Sequence, residues 1–316
     1  MKTNPLIHLW LLLSLLMASS CVPITQIEIT PTATVGTTPS ISPSPTKVVP
    51  TITPIPTLTE EDTRQSLLYF LQENGGCQLP CVWGLMPGMA SRDRESYLSP
   101  YREVSTLNFY SNNLYNAERS FASLSAQFTI ENTVSTVVVG IKENAGQIEK
   151  ILLRADTIDT TLERYKFGDE HYIALTQYYQ LSQVMLEYGQ PSRVLFAAFQ
   201  YDPITKAPYD PISIVIIYDD LETMIEYIFP SELLGSELQG CPKGAKINLF
   251  TWSKDANLSL EDIVSIKPGD EGIIPVYLKL YKPIEEATSL SLEEFYQIFQ
   301  NPEECISTPA ELWPPS

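Results

Sequence analysis

The apolar positions of residues 60–316 recur with two periods, one typical of helices and the other of strands. Helical periods or helix-end signals occur in four segments: 59–74, 91–101, 170–188 and 291–299. In 170–188 the apolar residues share one face at four-three spacing, namely Ala174, Tyr178, Leu181, Met185 and Tyr188. Gly189 and Pro191 end this helix, and Ser291 with Glu294 resembles a capping box that begins the last one.

Other segments alternate or are rich in β-branched residues, and they predict strands at 125–130, 134–141, 147–155, 194–200, 212–218, 222–229 and 246–252. Helices followed by hairpins favour an α+β fold, with helices packed on one face of an antiparallel sheet. Helix followed by strands occurs twice, which allows two diverged helix-plus-hairpin units, 60–158 and 159–316.

The N-terminus has a short apolar run, residues 6–17, after the positive Lys2. The run is shorter than the ~20 residues that span a bilayer, so it predicts a signal peptide. Small residues at 18–20 precede Cys21, and this order resembles the bacterial lipobox, whose cysteine thiol takes a diacylglycerol and becomes the mature N-terminus. Residues 1–21 are therefore predicted to be a lipoprotein signal peptide with palmitate-type acyl chains on Cys21. The alternative is ordinary cleavage beside a chance cysteine.

Residues 22–59 predict an extended stalk. Their 38 positions hold 8 Pro, 11 Thr and 3 Ser, with Glu28 and Lys47 as the charged residues. This composition builds no core, and at ~3.1 Å per residue it reaches on the order of 100 Å. Such a spacer suits a globular ectodomain, 60–316, that stands away from a cell membrane or envelope to which lipid anchors it.

Charge limits the partners of that ectodomain. The chain has a formal net charge of −18, and its first 59 residues contribute +1, so the ectodomain carries −19. Such a surface repels nucleic acid and anionic headgroups. The predicted partners are the membrane, through the N-terminal lipid, and an envelope protein or glycan, and nucleic acid is not among them.

The cysteine and histidine counts limit the chemistry. Lipid on Cys21 leaves four cysteines, an even number that predicts two disulfides outside the cytoplasm, with three pairings open. The favoured pairing is Cys77 with Cys81 and Cys241 with Cys305, and the C-x-x-x-C spacing favours structure over redox activity. The mature chain has one histidine, His171, which excludes paired-histidine zinc, haem and catalytic sites within one chain. We predict no metal and no cofactor.

Two resemblances bear on function. The loop that begins Cys77-Gln-Leu-Pro-Cys81-Val-Trp83-Gly84, the helix around Phe295 and the ending 307–314 resemble uncharacterised lipoproteins of Chloroflexota-type bacteria, a family that brings no activity with it. The helix that ends at 188–191 and leads into strands looks like modules of outer-membrane assembly lipoproteins and of β-lactamase inhibitor proteins. Both of these are binding proteins, and the resemblance implies a binding or assembly ectodomain.

The candidate binding residues are Trp83, expected as an exposed anchor on a braced loop, and Asp202 and Asp210, expected on a projecting hairpin loop. Asp219 and Asp220 are either paired acid–base carboxylates or, more simply, a turn. His171 is either a half-buried helix residue or a catalytic base. The alternatives to binding are a carboxylate-dependent hydrolase of envelope polymers, which predicts two carboxyl groups about 5–10 Å apart in a cleft, and a protein inhibitor with a protruding 202–210 loop.

Overall fold

The computed structural model describes residues 59–98, 107–112, 119–130, 132–199, 210–264 and 279–313, all within one unit, Thr53–Ser316. The predicted signal peptide, Cys21 and the stalk up to residue 58 lie outside the described residues. Within the described part, no helix has the length and apolar character needed to span a membrane.

A large antiparallel sheet dominates the described residues, and the predicted α+β class is confirmed. Its strands are β1 Leu107–Asn112, β2 Arg119–Ile130, β3 Thr133–Asn144, β4 Gln147–Asp159, β5 Arg164–Tyr165, β6 Arg193–Ala198, β7 Asp210–Tyr218, β8 Thr223–Leu234, β9 Glu237–Gly240, β10 Lys246–Trp252, β11 Lys282–Pro283 and β12 Ile306–Pro309. The main path runs β1-β2-β3-β4-β10-β8-β7-β6-β11. Off this path, β5 pairs with β4, and β9 pairs with β8 and β12.

Two four-stranded meanders meet in the middle of this sheet. The first is β1 to β4, and the second is β6, β7, β8 and β10. Their last strands, β4 and β10, pair with each other, and Leu153 stands opposite Leu249 at the junction. Each half of the chain therefore contributes one meander, and the larger apolar core of the described residues runs across both.

The helices of the described residues are short, and five of them contribute buried residues to the core on one face of the sheet. The helices are α1 Glu60–Glu73, α2 Ser91–Leu98, α3 Glu170–Leu175, α4 Leu181–Tyr188, α5 Leu260–Val264, α6 Ile284–Ala287 and α7 Leu292–Ile298. Leu71, Val184 and Phe295 are buried in the main core against strand residues such as Ile214 and Leu249. The capping box predicted at Ser291 is confirmed. The Ser291 hydroxyl accepts from the backbone N–H of Glu294, and the Glu294 carboxylate accepts from the backbone N–H of Ser291.

The single helix predicted over 170–188 is wrong, since the segment forms α3, a 3-10 turn at Gln177–Tyr179 and α4. The hydroxyl of Thr176 bonds back to the carbonyl of Tyr172 at 2.8 Å, and Thr176 leaves helical geometry. The carbonyl of Tyr179 accepts from the buried hydroxyl of Tyr227 at 3.0 Å instead of from the helix. The break turns Tyr172 and Tyr179 into the core and leaves Ala174 exposed.

The second face of the sheet is partly covered by residues 258–264, which include α5. Ile263 and Val264 pack there on Val215, Met224 and Phe250. The buried ammonium of Lys150, on β4, donates to the carbonyl of Asp262 and so holds α5 to the sheet. Burial, and next the charge of Lys142, lower the pKa of Lys150 to about 8.

Both predicted disulfides are present. Cys77–Cys81 closes the loop after α1, and Cys241–Cys305 joins the end of β9 to the start of β12. The second bridge adds to the β9–β12 ladder, in which Ile306 lies opposite Gly240. The C-terminal segment is therefore attached to the sheet by a covalent bond as well as by hydrogen bonds.

Candidate functional site

Trp83, expected as an exposed anchor, is buried with 2% of its surface accessible, and that expectation is wrong. Its ring stacks on Phe70 with 5.5 Å between centroids, and its indole N–H donates to the hydroxyl of Tyr179 at 3.1 Å. The loop braced by Cys77–Cys81 turns back over α1, and Trp83 adopts a positive φ of 54° there. Bracing therefore directs this aromatic side chain into the core.

The buried amide of Asn74 organises the same loop. Its Nδ2 donates to the carbonyls of Cys77 at 2.7 Å and Cys81 at 2.8 Å. Its Oδ1 accepts from the backbone N–H of Trp83 at 3.0 Å and from the hydroxyl of Tyr179 at 2.8 Å. These four bonds use both donors and both lone pairs of the amide, so the loop is a structural element.

The carboxylates singled out in the sequence do not come together in the described part of the chain. Asp202 lies outside the described residues, and Asp210 begins β7 opposite Ser231, with its side chain undescribed. Asp219 opens the turn Asp219–Leu221 and accepts two bonds from Arg193, at 2.7 and 3.3 Å, so the turn interpretation is confirmed. His171 is exposed rather than half-buried, with its backbone N–H bonded to the N-cap Asp169.

A different set of polar side chains lies on the second face of the sheet, beside the part that α5 covers. We call it the polar band, and its members are Arg154 and Asp156 of β4, Tyr165 of β5, Ser213 of β7, Glu226 of β8, Lys246 and Asn248 of β10, and Tyr281. The strand registers set Arg154 opposite Asn248, and Asn248 opposite Glu226. Directly opposite residues of antiparallel strands point to the same face, so these three cross the centre of the sheet in one row.

Glu226 is the centre of one half of the band. Its Oε1 accepts from the hydroxyls of Ser213 at 2.9 Å and Tyr281 at 2.7 Å, and its Oε2 accepts from the amide of Asn248 at 2.7 Å. Burial, and next the charge of Glu226, raise the pKa of Tyr281 well above its usual value, so its phenol remains a donor at neutral pH. Three strands and the segment before β11 thus converge on one carboxylate.

Tyr165 is the centre of the other half. Its hydroxyl accepts from Nη2 of Arg154 at 3.4 Å and from Nζ of Lys246 at 3.3 Å, and the ammonium of Lys246 also lies 4.8 Å from the centroid of the ring. Arg154 is bonded through Nε to Asp156 at 3.1 Å. Two cations therefore meet at one phenol, with one carboxylate beside them.

The band continues onto β3 and β2 as a less polar, accessible surface. Val138 and Thr136 of β3 stand opposite Arg154 and Asp156, and both are half-buried. Gln127 of β2 is opposite Thr136 and is exposed. A partner resting on the band can therefore extend over neutral side chains.

The two carboxylates of the band lie on different strands, and each has its own hydrogen-bond partners. Asp156 and Glu226 lie on strands separated by β10 and at different levels, which places their Cα atoms roughly 12 Å apart. Among the described residues no group of three His, Cys, Asp or Glu side chains could hold a metal ion. Hydrogen bonding and ion pairing are the chemistry that this arrangement offers.

Sequence reasoning missed the band, although part of its signal was present. Glu226 interrupts the apolar strand 222–229, and Lys246 and Asn248 alternate with apolar residues in 246–252. Charged residues inside apolar strands indicate a face with its own partners. Comparison of the chain with protein-family models, with curated proteins and with solved structures finds no match.

Proposed function

We propose that this chain is a lipid-anchored protein of a bacterial cell envelope and that its ectodomain binds an envelope protein or glycan through the polar band. The observation that carries the binding role is the row of charged and hydrogen-bonding side chains across the central strands, with Arg154 opposite Asn248 and Asn248 opposite Glu226. Their mutual hydrogen bonds hold these partly exposed groups in fixed positions, which lowers the ordering cost of binding a polar partner.

The anchoring part of the proposal is supported by the order of the N-terminal segments. An apolar run, small residues and Cys21 come before a Pro/Thr-rich stretch that holds almost no charge. Acyl chains on Cys21 would hold the chain at a membrane, because each buried methylene contributes ~0.8 kcal/mol. The two disulfides are compatible with a location outside the reducing cytoplasm.

The hydrogen bonds of the two carboxylates in the band favour a binding role over hydrolysis. Glu226 accepts three hydrogen bonds, which hold its carboxylate in one position. Asp156 is engaged by Arg154. A general acid or base needs a proton to exchange with the substrate, whereas these two groups are occupied in orienting their neighbours.

Photo-crosslinking in intact cells tests the proposed surface. We expect a benzophenone amino acid at Gln127 or Thr136 of the full-length protein to give adducts, because both positions border the band and are accessible. The matched control is Leu186 on α4, which is 60% exposed on the helical side. The proposal is supported if Gln127 and Thr136 both give adducts and if an excess of the protein without benzophenone suppresses these adducts. Equal yields from Leu186, or no adduct from either band position, would contradict the proposal.

A further inference from the structure

We infer that Lys246, Arg154 and Tyr165 form a subsite for one anionic group, a carboxylate or a phosphate, of an acidic envelope glycan. This inference rests on the proposed function and names the chemistry of its ligand. Its three residues come from β10, β4 and β5, so three separate parts of the chain build it.

The hydrogen-bond directions of the cluster leave donors that a ligand can use. The hydroxyl of Tyr165 accepts from Lys246 and from Arg154, and in the described part of the chain its own O–H hydrogen has no acceptor. Lys246 uses one of its three N–H donors on Tyr165, and Arg154 uses Nε on Asp156 and Nη2 on Tyr165. Each of the three residues therefore keeps at least one N–H or O–H donor beside the Tyr165 hydroxyl, and a ligand oxyanion bound there would accept from them.

The charges of the cluster agree with this assignment. Lys246 makes no ion pair with any described residue, and its nearest aromatic contact is the ring of Tyr165. Asp156 balances one of the two cations, since it pairs with Arg154. The cluster keeps a local charge of about +1 in an ectodomain whose net charge is −19.

That contrast favours a glycan of low charge density over an acidic protein or a nucleic acid. A densely charged polyanion would be repelled by the rest of the domain. A glycan with isolated acidic groups places one charge at the cluster and neutral hydroxyls elsewhere. Those hydroxyls would lie over the neutral side chains of Thr136 and Gln127. Thr136 of β3 is opposite Asp156, and Gln127 of β2 is opposite Thr136.

Calorimetric titration of the full-length, detergent-solubilised protein tests the subsite with three oligosaccharides that share one neutral backbone. The first bears a single uronate residue, the second has that carboxyl group reduced to an alcohol, and the third bears a single phosphate group in its place. We expect one of the two anionic probes to bind at least tenfold tighter than the reduced oligosaccharide. Preference for the uronate probe assigns a carboxylate to the subsite, and preference for the phosphate probe assigns a phosphate.

Lys246→Gln should weaken binding of the preferred anionic probe about tenfold, because a charge-assisted bond is lost, and should leave the reduced oligosaccharide unchanged. Lys254→Gln is the matched control, since Lys254 follows the other end of β10 and is 85% exposed. Tyr165→Phe keeps the ring, removes the hydroxyl and is expected to weaken anion binding severalfold, which tests the site even if Lys246→Gln does not fold.

Equal affinity for the uronate, phosphate and reduced oligosaccharides, or an equal loss of charged and neutral probes in Lys246→Gln, would overturn the subsite. Binding of a polyglutamate peptide in place of every glycan would also overturn it. If adducts at Gln127 and Thr136 persist under either result, the subsite alone fails and the proposed binding surface stands.

Discussion

Replacing Asn74 by alanine is expected to lower the free energy of unfolding by about 4 kcal/mol, from orphaned buried groups and from backbone strain. The change removes the acceptor of the Trp83 backbone N–H and the 2.8 Å acceptor of the Tyr179 hydroxyl, together with the donors to the carbonyls of Cys77 and Cys81. Asn74 is fully buried, so water does not replace these bonds. Its φ of 51° also strains alanine. Urea unfolding followed by tryptophan fluorescence measures the loss.

Asn257→Ala separates the two contributions, because Asn257 has a similar φ of 44° but is exposed. We expect this control to lose about 1 kcal/mol from strain alone. If Asn74→Ala were no less stable than Asn257→Ala, the buried amide would not organise the loop as described.

Removal of the Cys241–Cys305 bridge, by changing both residues to alanine, is expected to lower the free energy of unfolding by about 4 kcal/mol. The bridge joins residues 64 positions apart, and its loss frees a long loop in the unfolded chain. The bridge also attaches the start of β12 to the sheet. Thr308 of β12 accepts from the indole N–H of Trp313 and donates to the carbonyl of Ala287. Guanidinium unfolding of the oxidised protein and of the variant measures the difference.

The second bridge provides the comparison. Cys77 and Cys81 are four positions apart, and the same loop-entropy argument gives about 2 kcal/mol for changing both to alanine. A greater loss from the short bridge than from the long one would contradict the role assigned to Cys241–Cys305.

The sequence predicted the central strands well because their apolar residues alternate in register with the core. Segment 246–252 matches β10, and 212–218 lies within β7. The helix over 170–188 was predicted as continuous because its spacing is regular, and the break depends on the bond from Thr176 to Tyr172 and on Tyr227 reaching the carbonyl of Tyr179. Tyr227 is 48 positions away from Tyr179, beyond the reach of local periodicity.

The polar band was hidden for a related reason. Glu226 and Lys246 are visible as charges within apolar strands, but their partners Tyr281 and Tyr165 lie 55 and 81 positions away. The row also depends on the pairing of β4 with β10, and this places Arg154 beside Asn248. Trp83 failed as a prediction because the sequence does not state on which side of the braced loop its ring packs.

Binding of an envelope ligand requires that lipid hold the chain outside the cytoplasm, since such a ligand is reached only from there. Mass spectrometry of the N-terminal peptide of the mature protein measures this directly. We predict that the peptide begins at Cys21 and carries a diacylglycerol thioether with palmitate-type chains. A peptide that begins elsewhere, or one that bears a free thiol at Cys21, would contradict the account.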